Sequence, residues 1–213
     1  MNNNKIWSVP LPSSPEVLKN KDISLRTYAL LMLYSNRGGT IFNNNTRFLY
    51  DNKLSDNVNE ILTTLNISRS TLRKHLFNLR TLSKGIFKSK MVKDELVHML
   101  IPKDKDGKNF VLIKSDILLK LICNCNENCI RIYIILCYVC RKSSTQVTHQ
   151  WLSESIGNSS NSRRLISKAI NDLKSFNFIS VERTKTVHKV LNESTGKIIS
   201  NPKDVHYYSL VSQ

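Results

Sequence analysis

Ser68-Arg69-Ser70-Thr71-Leu72-Arg73-Lys74-His75-Leu76-Phe77-Asn78-Leu79 and Ser162-Arg163-Arg164-Leu165-Ile166-Ser167-Lys168-Ala169-Ile170-Asn171-Asp172-Leu173 are two copies of one pattern. They align without a gap at an offset of 94 residues, with Ser, Arg, an aliphatic, Lys, an aliphatic and Leu recurring at matching places. In the first copy Leu72, Leu76 and Leu79 fall at i, i+4 and i+7, one stripe of a helix. The other side carries Ser70, Lys74 and Phe77, flanked by Arg73 and Arg80. Each pattern predicts a helix that buries one stripe and turns a basic face outward. Ser68 and Ser162 are good N-cap residues for them.

What surrounds the first copy is equally ordered. Ser24 is expected to cap a helix whose apolar stripe is Leu25, Tyr28, Ala29, Met32 and Leu33. A second helix from about Asp56 places Val58, Ile61, Leu62 and Leu65 inward, and a short turn at Asn66-Ile67 leads into the basic helix. A strand starting at Gly85-Ile86-Phe87 follows. Two more, Leu96 to Ile101 and Phe110 to Lys114, are expected to pair around the polar turn 103–109, which contains Gly107. The chain ahead of Ser24, with Pro10, Pro12 and Pro15, reads as an extended arm.

The order then repeats. Ser115 to Ile122 reads as a connecting helix, and Glu127 to Arg141 as a strongly apolar one. Arg131-Ile132-Tyr133 echoes Arg26-Thr27-Tyr28. His149 to Ile156 forms a shorter helix with Trp151 and Leu152 as burial candidates. The second basic helix follows, then a strand at Phe178 to Arg183. A hairpin of Thr186 to Val190 with Lys197 to Ser200 comes next, and a closing strand at Val205 to Val211. The expectation is an α+β chain of two tandem winged-helix domains (helix-turn-helix plus β-hairpin wing), residues 1–114 and 115–213.

The chain has 213 residues, 32 basic and 16 acidic side chains, and a net charge of +16. The charge is clustered: Ile61 to Lys93 contains no Asp or Glu, and Arg69 to Lys93 contains eight Lys or Arg. Such a surface suits phosphate partners. The basic faces therefore read as double-stranded-DNA readers, with Arg69, Ser70, Arg73, Lys74 and Arg80 in the first unit and Arg163, Arg164, Ser167 and Lys168 in the second. Arg is the commonest reader of guanine. Lys84, Lys88, Lys90 and Lys93 beside the first helix are placed to meet phosphates, as are Lys185, His188, Lys189 and Lys197 beside the second. The plainer alternative is a pair of amphipathic helices with solvated basic faces and strand edges guarded by Lys.

Cys123, Cys125, Cys129, Cys137 and Cys140 have a zinc-like spacing, but Cys137 and Cys140 sit in an apolar helical run, where free Cys acts as a small hydrophobe. No metal or cofactor is expected. An odd cysteine number, no apolar run of membrane length and no signal-like N-terminus make a cytoplasmic protein the expectation. No nucleophile motif, phosphate-binding loop or dinucleotide fingerprint appears, so no enzymatic activity is expected.

In layout the chain resembles tandem winged-helix DNA-binding proteins, with Phe176-Asn177-Phe178-Ile179 similar to their helix-to-wing junction. Ile23-Ser24-Leu25-Arg26-Thr27-Tyr28-Ala29-Leu30-Leu31, preceded by Pro10 and Pro12, is similar to the opening of replication initiators of plasmids from low-GC Gram-positive bacteria. Residues 40 to 55 depart from that pattern. The resemblance implies binding to origin repeats and recruitment of host replication proteins, as a monomer or a dimer on DNA. A transcriptional regulator on an operator stays open beside it, as does a DNA-processing or conjugation accessory protein.

Overall fold

The computed structural model describes residues 7–37, 46–83, 85–102, 109–140, 143–159, 162–192 and 197–211; over 36–37, 185–192 and 197–204 it describes the backbone alone. Among the described residues the fold is α+β, with nine helices and three small antiparallel sheets.

The chain opens with β1 (Ser8–Pro12), α1 (Pro15–Lys19) and α2 (Leu25–Tyr34), the last capped by Ser24, whose side chain accepts from the Thr27 amide. Next come β2 (Asn36–Arg37), β3 (Arg47–Tyr50), α3 (Asp51–Asp56), α4 (Val58–Leu65) and α5 (Arg69–Leu82). Asn66, in the left-handed conformation (φ 51°), closes α4. Ser68 caps α5 by accepting from the Thr71 amide. Then β4 (Phe87–Val92) and β5 (Glu95–Leu100) form a hairpin, and β3 adds to β5, giving the sheet order β2-β3-β5-β4.

From β6 (Phe110–Lys114) the sequence of elements recurs: α6 (Ser115–Asn124), α7 (Glu127–Cys140), β7 (Thr145–Gln146), α8 (His149–Ser155), α9 (Arg163–Ser175), β8 (Ile179–Asn192) and β9 (Lys197–Leu210). The last sheet has the order β7-β9-β8. In both halves, the strand that precedes the helix pair joins the second strand of the later hairpin.

Three expectations need correcting. The hairpin of the first half is β4–β5, not a pairing of 96–101 with 110–114: β6 instead pairs with β1, Pro10 opposite Leu112. Its two-residue turn is Lys93-Asp94, both at positive φ (47° and 63°). That is the primed geometry hairpins favour, here without the Asn-Gly or Asp-Gly signature that usually announces it. The Gly107 turn lies outside the described residues. In the second half, the separate short strands expected between 178 and 211 are two 14-residue strands in continuous register, Ile179↔Leu210 to Asn192↔Lys197. Pro202 falls opposite Val187 without breaking the pairing. Trp151 is 43% exposed while Leu152 is fully buried, because adjacent residues on a helix point about 100° apart.

The halves share one apolar core. Its centre is α7, buried on nearly every side from Cys129 to Cys137, as a helix apolar all round must be. The contacts between halves are reciprocal. Ser115 donates its amide to the Trp7 carbonyl at 2.8 Å. α1 lies on α8, and α6 lies on α4. The Arg26 guanidinium donates to the carbonyls of Ile122 (2.8 Å), Leu65 (3.0 Å) and Thr64 (3.4 Å), ending α6 and α4. Arg131, its counterpart, is 1% exposed and donates to Val17, Leu18, Asn20 and Ile23 at the end of α1. Orphan carbonyls at helix ends are natural partners for such cations. Glu127 completes the seam: it pairs with Arg131 at 3.0 Å and accepts from the amides of Leu25 (2.7 Å) and Arg26 (3.0 Å) at the start of α2.

Arg131→Met would leave these carbonyls without partners and Glu127 without its cation. The expected loss is about 3–5 kcal/mol, measured by denaturant unfolding of the full chain. Gly157 (φ +73°) turns the chain after α8 directly against the Lys19 carbonyl, where a Cβ would overlap backbone. Gly157→Ala is expected to cost at least about 1 kcal/mol.

Candidate nucleic-acid interface

The amphipathic logic of α5 and α9 holds in three dimensions. Leu72 and Leu79 on α5 are buried with Leu76 packed beside them; Ile166, Ala169, Ile170 and Leu173 on α9 are buried. Their opposite faces are open to solvent. Arg69, Ser70, Arg73, Lys74 and Arg80 are exposed on α5, with Phe77 among them at 64% exposure. Arg163, Arg164 and Lys168 are exposed on α9. Lys88 and Lys90 are exposed on β4. With Lys93 exposed in the turn of the first hairpin, eleven of the seventeen candidate side chains are thus open to solvent on the two basic helices and that hairpin.

The rest differ. Ser167 is half-buried, its Oγ 3.4 Å from His149 Nδ1. Lys84 lies outside the described residues. Lys185, His188 and Lys189 on β8 and Lys197 on β9 belong to the ribbon by backbone pairing alone. The two helix starts also differ: Ser68 caps α5 and bonds Ser70 Oγ at 2.8 Å, whereas Ser162 makes no side-chain cap and bonds Ser159 Oγ at 3.1 Å.

His75 and His149 brace these helices from behind, and His98 is buried in the first sheet. His75 on α5 bonds Thr27 Oγ1 on α2 at 2.8 Å. His98, fully buried on β5, stacks on Phe87. Its Nε2 lies 3.0 Å from Asp51 Oδ1 and its Nδ1 lies 2.9 Å from Ser89 Oγ. An ionised carboxylate can only accept, so Nε2 carries the proton and the Ser89 hydroxyl donates to Nδ1. His149, at the start of α8, has its ring 5.1 Å from that of His206 on β9. Burial lowers the pKa of all three below its ordinary value; Asp51 opposes this at His98, while His206, Arg183 and Arg163 reinforce it at His149. His149, His206 and Arg183 were not among the sequence candidates. Only the β8–β9 register and the β7 contact bring them together.

Four of the five cysteines sit inside the core. Cys125, Cys129, Cys137 and Cys140 are buried and Cys123 is exposed. A hydrogen bond with Cys129, together with burial, pushes the Cys125 thiol up, and burial pushes Cys140 up. Such thiols stay protonated and behave as packed apolar groups. Among the described residues, no three His, Cys, Asp or Glu side chains group as a metal site would require. Nor is any helix among them long and apolar enough to cross a membrane.

Comparison with protein-family models, curated proteins and solved structures finds no match to this chain.

The histidine environments set a pH dependence. Each of the three binds a proton at about pH 6.5 when unfolded and only at lower pH when folded. Their contribution to stability is therefore complete above pH 6.5 and is lost as the pH falls through the folded pKa values. The thermal midpoint should drop between pH 7.5 and pH 5.0, and less so in His98→Gln. A midpoint that rises on acidification would contradict these environments.

Proposed function

We propose that this chain is a sequence-specific double-stranded-DNA-binding protein built of two tandem winged-helix units. The observation that carries the reading is the doubled order of helix, strand, helix pair and hairpin. Each copy presents a solvent-open row of cations on the helix ahead of the hairpin. In a winged helix that element enters the major groove and the hairpin meets the backbone. Arg73, Lys74 and Ser70 on α5, and Arg164 and Lys168 on α9, are the proposed base-edge readers; Lys88 and Lys90 are phosphate contacts. The net charge of +16 supports a polyanionic partner.

The resemblance to plasmid replication initiators extends the proposal to a role: binding repeats in an origin of a plasmid or mobile element, with host replication proteins as further partners. Mapping bound fragments across the encoding element separates this from an operator-binding regulator. Repeated sites at an origin support it; a single promoter site overturns it.

The physical reading has its own test. Log affinity for a duplex should fall linearly with log salt, with a slope near −0.9 per phosphate neutralised and roughly six to ten phosphates engaged. Arg73→Ala or Arg164→Ala should cost about 1–3 kcal/mol on the cognate site and little on random DNA. Lys88→Ala should weaken both about equally. Identical behaviour of Arg73→Ala and Lys88→Ala on both DNAs would refute the division into readers and clamps. One chain should protect about 15–25 bp, two adjacent turns of the duplex.

A further inference from the structure

The two halves treat one structural position in opposite ways. In the first half Leu49 lies opposite His98 across β3–β5, and α3 begins two residues later at Asp51. In the second half Val147 donates to the His206 carbonyl, and α8 begins two residues later at His149. His98 and His206 are thus counterparts, and so are Asp51 and His149. The cross-strand neighbours correspond as well: Ser89 opposite His98, Arg183 opposite His206. Where the first half surrounds its histidine with a carboxylate and a hydroxyl, the second surrounds it with an imidazole and a guanidinium.

The consequence is a missing anion. His98 is fully buried and its two ring nitrogens are both partnered. His149 and His206 are only half-buried, 5.1 Å apart. Ser167 from α9 adds a hydroxyl 3.4 Å from His149 Nδ1. Tyr208 closes one side, edge-on to His206 at 6.3 Å. The charged groups that act on His149 are His206 from β9, Arg183 from β8 and Arg163 from α9, all basic. α1 meets α8 at its far end, where Gly157 rests on the Lys19 carbonyl. The next register pair along the ribbon, Thr184 with Val205, carries no charge.

We propose that His149, His206, Arg163, Arg183 and Ser167 form a seat for one backbone phosphate of the bound duplex, and that His149 takes up a proton when it is filled. The proposal rests on the DNA-binding reading above and adds to it a regulation by pH. Without an anion, protonating His149 in its partly buried place beside His206, Arg183 and Arg163 is penalised by burial and by like-charge repulsion. A phosphate offsets that penalty by giving these donors one shared, charged acceptor. Linkage then requires that DNA binding tighten as the pH falls. Phosphate contact does not depend on sequence, so a random-sequence duplex reports on it.

The test is the affinity of the full chain for a random-sequence 30-bp duplex (length chosen at about three helical turns) at pH 7.5 and 5.8, at constant ionic strength. Wild type should bind about three- to tenfold more tightly at the lower pH. His149→Asp restores the carboxylate that the first half has there. It should bind more weakly at both pH values and lose most of the pH dependence, while melting at pH 7.5 like wild type. His206→Gln should bind more weakly, and histidine titration by NMR should show the His149 pKa rise when duplex is added. Salt-dependent binding that is the same at both pH values overturns the phosphate seat and leaves the DNA-binding reading intact. A pH dependence unchanged in His149→Asp also overturns the seat, since the proton then lands elsewhere. No duplex binding at either pH at low salt overturns both.

Discussion

Everything on the two basic faces depends on a seam of charges inside the molecule. Arg131 is a cation with almost no access to water, and an unpaired charge there would be prohibitive. It is tolerated because the end of α1 offers its carbonyls and Glu127 its carboxylate. Glu127 in turn holds the first amides of α2, and Arg26 on α2 holds the ends of α4 and α6. Each half thus terminates helices of the other. This reciprocity is what a two-fold interface produces between identical subunits, realised here between two related halves of one chain. It makes the relative position of α5 and α9 a property of the core, not of a linker.

Symmetric construction does not make the halves equal. In the Asp51–His98 pair a carboxylate and a hydroxyl partner both nitrogens of a buried imidazole. The His149–His206 pair at the equivalent place is open and surrounded by positive charge. α5 begins with a capped turn of small hydroxyl residues, α9 with two successive arginines and no side-chain cap. If both faces meet DNA, the first is built to dock with its own charges settled, and the second to have them settled by the ligand.

Much of this was legible in the chain. The stripe Leu72, Leu76, Leu79 and the caps Ser24 and Ser68 are local signals, and local signals locate helices well. The echo of Arg26-Thr27-Tyr28 in Arg131-Ile132-Tyr133 was visible too, although its meaning was not: that each arginine reaches into the opposite half needs the tertiary fold. The Lys93-Asp94 turn was hidden because neither residue is Gly or Asn, although an Asp tolerates positive φ. The long β8–β9 ribbon was read as fragments because Pro202 and polar stretches interrupt the alternation that marks a strand. His149, His206 and Arg183 carry no common spacing in sequence; they converge only through strand register, which no local pattern encodes.

The claim that matters most is that one rigid core carries two DNA-reading faces. Amide chemical-shift mapping of the full chain, titrated with a duplex of about 30 bp spanning three helical turns, tests it directly. The expected result is two sets of shifted amides of similar size, one over Arg69 to Phe77 and Phe87 to Val92, the other over Arg163 to Ala169 and His206. The seam at Arg26, Glu127 and Arg131 should stay unchanged. Shifts confined to one half, or a seam that rearranges when DNA is added, would contradict it.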